Sequence, residues 1–517
     1  MVIAHKGKDE PRPPTMLDAL IPVVVLILFI IGAVILYGGD AIAGPVQVAM
    51  FLAAIIAGLV AYKNGHTVEG LSKAAVDSVA TAMGAIFILF SVGALIGTWN
   101  MSGTIATMTQ WGIQILSPNW FYVTAVIICA VIALGIGSSW TVMGTIGVAL
   151  IAIAEALGLN GAMAAGAVIS GAYFGDKMSP LSETTNLAPA VAGTDLYSHI
   201  RSMMATTIPS ILIALGIYAF IGMRTQVDDA INVSTGIEAL EETFHLGIIP
   251  MIPLLVVVIM ALRKWPPTIA IIAGALTGGL VAAIFQPDLV RAFVADPDLG
   301  TVPTMIKGVW SAMATGFEPD TGYEALDELL VGGGMESMLN TIWLIIVALA
   351  FGGIMNEAGF LAKLIEPLRN RAKTPRGTLV ATGTTAIGIN ALAADQYLAI
   401  VLTGNVFKQQ YEKEGIAPQT LSRQIEDTAT VTSVLIPWNS CGAYAAGVLG
   451  IETIAYFPFA FFNWINPLVS FTYALLGIQI KRVAPETEFP AAPADANFYG
   501  VSGRHADALP DRGDYTI

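Results

Sequence analysis

Apolar stretches of about 20 residues recur along the whole chain, and at 1.5 Å per helical residue each can cross the roughly 30 Å hydrocarbon core of a bilayer. No water reaches backbone groups there, so each stretch must satisfy its own N–H and C=O groups, which makes it a helix. Composition agrees: 55% of residues are hydrophobic, 12% are charged and mean hydropathy is +0.71. The first run, Leu17 to Tyr37, is too long for a signal-peptide core and lacks a small-residue cleavage site, so it reads as a retained span. Cys129 and Cys441 lie far apart in apolar surroundings and read as buried thiols rather than a disulfide.

Hydropathy places spans near 17–37, 45–62, 80–99, 121–137, 139–157, 203–223, 244–262, 268–286, 337–357, 377–393, 396–408 and 455–479. Two further apolar stretches, 162–192 and 424–450, are interrupted by polar residues and prolines; counted once each, they bring the crossings to 14. With both termini cytoplasmic, all but Arg224, Arg291, Lys307 and the intramembrane Lys177 of the 24 lysines and arginines fall on the cytoplasmic side, as the positive-inside rule requires. The acidic loops 225–243 and 286–335 then lie outside and carry much of the net charge of −14, which gives no reason to invoke a nucleic-acid partner. The predicted fold is an all-α polytopic membrane protein. It comprises a cytoplasmic segment 1–16, a membrane repeat 17–223, an extracytoplasmic acidic linker 224–243, a second membrane repeat 244–479 and a cytoplasmic tail 480–517.

In this arrangement the two repeats run in opposite directions. IAGLVA at Ile56 to Ala61 is echoed by TGGLVA at Thr277 to Ala282. LIGTWNMSG at Leu95 to Gly103 shares its G-x-x-N-x-x-G spacing with FGGIMNEAG at Phe351 to Gly359. Falling in order at corresponding spans, the echoes argue for inverted-topology repeats, a construction of secondary transporters. Residues 64–79 and 301–316 occupy matching places and read as interfacial or re-entrant helices.

The interrupted stretches carry the chemistry. Gly175 to Asn186 reads GDKMSPLSETTN, with three charges at membrane depth, where insertion of a single charge costs roughly 2.5 kcal/mol or more. Its counterpart, Ile425 to Gly442, reads IEDTATVTSVLIPWNSCG and is likewise interrupted by a proline. A broken helix frees backbone carbonyls and amides, which membrane depth tolerates only where they line a cavity or meet a ligand. With Ser, Thr, Asn and carboxylate oxygens these make a hard-oxygen cage suited to an alkali cation and unlike the His and Cys sets of softer metals. Two span junctions extend it, one at Ser138 and Thr141, the other at Asp395, which reads either as a helix N-cap or as a site carboxylate. Asp427, with Arg423 nearby, reads equally as a capping or surface residue and as part of the site. Lys177 has three readings: structural ion-pair partner, anion contact, or mobile counter-charge.

Other chemistries lack their motifs. The chain has no G-x-x-x-x-G-K-[ST] phosphate loop, no C-x-x-C and no H-E-x-x-H. His5, His66, His199, His245 and His505 all fall in loops or near span ends, which disfavours haem, zinc or an intramembrane histidine relay. The protein reads as a non-enzyme that needs no cofactor and draws its energy from an ion gradient.

GSSWTVMGTIGVAL at Gly137 to Leu150 and GAYFGDKMSPLSETTNLAPAVAGTD at Gly171 to Asp195 resemble the signature region of the NhaC-type sodium/proton antiporters, a region shared with the sodium-coupled malate/lactate antiporters. The resemblance implies a gradient-driven antiporter of a prokaryotic inner membrane, in the ion transporter superfamily, with paired broken helices meeting at the midplane and a homodimeric assembly. It marks Asp176, Ser179, Ser182, Glu183, Thr184, Thr185 and Asn186.

The mechanism expected is competition: a carboxylate removed from water favours its neutral form, and a sodium ion beside it favours the charged form, so proton and sodium exclude one another. Asp176, Glu183 and Asp395 are the candidate sodium-binding carboxylates, and Asp395, Thr430, Asn439 and Ser440 are expected to close the cage from the second repeat. The alternative is a sodium-coupled organic-anion exchanger using Lys177; a cation channel or scaffold is the remote one.

Overall fold

The computed structural model describes residues 11–225, 240–318 and 332–483. Most of the linker 224–243, most of the tail 480–517 and the first ten residues of the N-terminal segment therefore lie outside the described residues.

The described chain is helical, with no strand beyond two isolated bridges. In order, the principal helices are α1 (Met16–Tyr37), α2 (Pro45–Lys63), α3 (Val68–Thr81), α4 (Met83–Met101), α5 (Thr104–Ile115), α6 (Phe121–Ile136), α7 (Ser139–Ala156), α8 (Gly161–Met178), α9 (Glu183–Ala192) and α10 (Leu196–Gly222). They continue with α11 (Ile252–Leu262), α12 (Pro267–Phe285), α13 (Pro287–Val294), α14 (Thr301–Ala314), α15 (Leu339–Glu357), α16 (Phe360–Arg371), α17 (Pro375–Ala393), α18 (Gln396–Lys413), α19 (Pro418–Ile425), α20 (Ser440–Leu449) and α21 (Phe461–Leu476).

Eight helices among the described residues are long and apolar enough to cross a membrane, and a ninth is obtained by counting Thr453–Phe459 with Phe461–Leu476, which meet at a bend of 58°. This establishes a multi-pass helical protein, with fewer helices meeting that test than the 14 crossings expected. The difference has a physical cause. α17, for example, carries Thr378, Thr382, Thr385 and Asn390, all buried, because it is surrounded by protein and has no need of an apolar surface. The outer helices show the reverse: Leu17, Leu28, Ile35 and Leu36 of α1 and Leu59 of α2 point outward with most of their side chains uncovered.

Both G-x-x-N-x-x-G motifs end a long helix and turn through a left-handed glycine, Gly103 or Gly359, into a short helix, α5 or α16. The expected interfacial segments form the helices α3 and α14. α12 packs on α4, and α15 packs on α2 and α3.

α6 and α8 pack closely along their length. A Cβ added at Gly171 would lie 2.3 Å from the Val126 carbonyl oxygen, and one at Gly175 would lie 2.2 Å from that of Ala130. This is the small-xxx-small packing that lets membrane helices touch backbone to backbone. Gly175→Ala is therefore expected to destabilise the protein by about 1–3 kcal/mol or more, read as a lower unfolding temperature of the detergent-solubilised protein.

Candidate functional site

Both interrupted stretches are broken where the prolines stand. α8 ends at Met178; Ser179 is extended (φ −80°, ψ 129°), as the residue before Pro180 must be. The chain restarts at α9 with Ser182 as N-cap, its side chain accepting from the Thr185 amide. In the second stretch α19 runs through a π-helical segment, Glu426–Thr430, to Ser433. After Pro437 the helix restarts at α20 with Asn439 as N-cap, its carbonyl oxygen accepting from the Cys441 amide at 3.0 Å.

Each break rests against a span junction of its own half. Gly137 (φ +77°) links α6 to α7, and a Cβ there would lie 2.7 Å from the backbone of Leu181. In the other half Ala394 (φ +58°) links α17 to α18, and its carbonyl accepts from the Ser440 amide at 2.9 Å.

Asp176 sits one turn before the first break. Its Oδ2 accepts from the Ser139 amide (3.0 Å) and the Ser139 hydroxyl (2.7 Å), so it also caps the start of α7, where helix amides favour negative charge. Its Oδ1 is buried with no hydrogen-bond partner among the described residues. Ser138 and Thr141 serve the same helix start, since the Ser138 Oγ accepts from the Thr141 amide (3.2 Å) and hydroxyl (3.0 Å).

The remaining first-half residues hold the break in shape. The Ser179 Oγ accepts from the Leu181 amide, and Thr185 donates to the Lys177 carbonyl at 3.0 Å. Thr184 is buried beside Ser182, their hydroxyls 3.2 Å apart. Asn186, exposed, donates to the carbonyls of Pro180 and Ser182. Glu183 is also exposed, in the first turn of α9, and accepts from the Tyr397 hydroxyl at 2.8 Å.

Lys177 and Asp427 are both fully buried and ion-paired across the two halves, so Asp427 is no surface residue. Lys177 also donates to Asn466 at 2.7 Å, and Asp427 accepts from Thr206 at 3.0 Å. Thr430 is buried with its hydroxyl unpartnered among the described residues.

Asp395 is the N-cap of α18, its Oδ1 accepting from the Leu398 amide at 2.7 Å, while Asn439 donates to the Asn390 carbonyl at 3.1 Å. Asp176, Glu183 and Asp395 form no common cluster: among the described residues no three His, Cys, Asp or Glu side chains converge as metal ligands would. Each is held instead by a local helix end or by Tyr397.

Three features lie outside the sequence expectation. Glu426 is fully buried with both carboxylate oxygens unpartnered among the described residues. Two π segments occur among the described residues, Glu426–Thr430 packed against α9 and Met143–Gly147 packed against α8 and α20, and such segments recur at functional sites. His199, placed by sequence near a span end, is fully buried, its Nδ1 2.8 Å from the Ser422 hydroxyl. Glu426, Thr430 and Ser433 stand at i, i+4 and i+7, a one-face helical spacing that would have singled out Glu426.

Buried charges at two helix breaks, inside a bundle of long apolar helices, define a multi-pass membrane transporter. A sequence model of the Na+/H+ antiporter family matches residues 171–478. The Na(+)/H(+) antiporter NhaC of Alkalihalophilus pseudofirmus is 38% identical over 414 residues, 80% of this chain and 86% of that protein. The NhaC of Bacillus subtilis is 34% identical over 82% of this chain and 91% of that one. The Malate-2H(+)/Na(+)-lactate antiporter of Bacillus subtilis is 31% identical over 90% and 96% respectively. The chain belongs to the Na+/H+ antiporter family.

The Lys177–Asp427 pair makes a direct prediction. Lys177→Met or Asp427→Leu alone leaves a buried charge uncompensated and is expected to cost about 3–5 kcal/mol. The double variant should cost less than the two singles together, measured by thermal unfolding of all four proteins.

Proposed function

We propose that the protein exchanges sodium ions for protons across the cytoplasmic membrane, with Asp176 as an exchange carboxylate. One observation carries this reading: Asp176 has one oxygen anchored to the start of α7 and the other buried and unpartnered. A proton or a sodium ion on Oδ1 removes the cost of burying the charge, and the two cannot share it.

Alternating access follows if the bundle reorients only with a cation or proton in place, which suppresses leak. The two breaks, their junctions and the paired G-x-x-N-x-x-G turns support two inverted repeats, 17–223 and 244–479, with both termini cytoplasmic and the outward apolar side chains in lipid. Organic-anion exchange is the weaker reading, because the lysine it needs is neutralised by Asp427.

The test uses everted vesicles with an acid-inside pH gradient and a pH-reporting dye. Sodium alone is expected to collapse the gradient, and Asp176→Asn is expected to reduce this to the rate of vesicles lacking the protein. Collapse only when malate or lactate accompanies sodium would overturn simple cation exchange, and full activity in the folded Asn variant would remove Asp176 from the site.

A further inference from the structure

Glu426 is a buried charge that the exchange chemistry above leaves unused. It opens the π segment and is fully buried, with neither carboxylate oxygen hydrogen-bonded among the described residues. Neither positive charge near it is hydrogen-bonded to it. Lys177 pairs with Asp427 and donates to Asn466. Arg423, three residues earlier, donates through one Nη to the Gln479 carbonyl, and its Nε and other Nη are unpartnered among the described residues. An ionised carboxylate left in this position costs several kcal/mol, so Glu426 needs either a proton or a cation on it.

Its surroundings are those of a hard-cation site. α9, which carries Thr184 in its first turn, packs against the π segment that carries Glu426 and Thr430. The Thr430 hydroxyl, 2% exposed by residue, is itself unpartnered among the described residues, as is Asp176 Oδ1. These oxygens come from the end of α8, the start of α9 and the π segment, so they join the first break to the second interrupted stretch. Oxygen donors without nitrogen or sulfur suit an alkali cation.

We infer that Glu426 is a sodium-binding carboxylate of the exchange site, sharing the ion with Asp176 and using the Thr430 and Thr184 hydroxyls as neutral ligands. The inference rests on the sodium/proton reading and adds to it a second charge from the other half of the chain. Sodium then holds the two halves together at the breaks, and departure of sodium leaves two carboxylates to be protonated.

The test is equilibrium binding of radioactive sodium to the purified full-length protein at alkaline pH, comparing wild type, Glu426→Gln, Asp176→Asn and Thr430→Val. Loss of the Glu426 charge is expected to weaken sodium binding at least about tenfold, and loss of the Thr430 hydroxyl severalfold. Unchanged affinity in Glu426→Gln, with binding lost in Asp176→Asn, would overturn this inference and leave the Asp176 assignment standing. The reverse pattern would support Glu426 and remove Asp176. Absence of sodium binding by the wild type would overturn both. Thr430→Val, nearly isosteric, probes the same cage should the Gln variant fail to fold; unchanged affinity there overturns the inference.

Discussion

A charge surrounded by protein and lipid has to be neutralised where it stands, and the Lys177–Asp427 pair does so between the two halves of the chain. The pair joins α8, just before the first break, to the π segment that precedes the second. Thr206 of α10 and Asn466 of α21 add hydrogen bonds to it, so four elements meet on two side chains. Asp427 keeps one oxygen unpartnered among the described residues but has a lysine beside it, whereas Asp176 has one partnered oxygen and no ion pair, and Glu426 has no hydrogen bond at all among the described residues. An ion-exchange site needs such acids, because a carboxylate already paired with a lysine has less use for a cation.

Much of this was legible in the sequence. Long apolar runs require helices, proline with Ser, Thr or Asn requires a break, and charges inside such a run require a purpose, so both interrupted stretches and the burial of Lys177 follow from residue type alone. Depth was harder to read. Glu426 and Asp427 stand three and four residues from Arg423, a pattern that also suits a helix end near water, and hydropathy does not distinguish a polar helix at the surface from one enclosed by other helices. The same ambiguity applies to α17, whose threonines and Asn390 face protein, and to His199. At Asp395 the structure shows the helix-cap reading, its Oδ1 accepting from the Leu398 amide.

The halves solve one backbone problem with different residues. The turn from α6 to α7 uses glycine at a positive φ, with the backbone of the first break packed where a side chain would be. The turn from α17 to α18 uses Ala394, which keeps its Cβ in the same left-handed region and holds the second break through a carbonyl instead.

The seating of α8 on α6 has a mechanical consequence. With no room for a methyl group between Gly171 or Gly175 and the facing backbone, these helices form a single plank, and Asp176 is carried at its end. Any stroke that turns the carboxylate from one side of the membrane to the other must therefore move the plank whole.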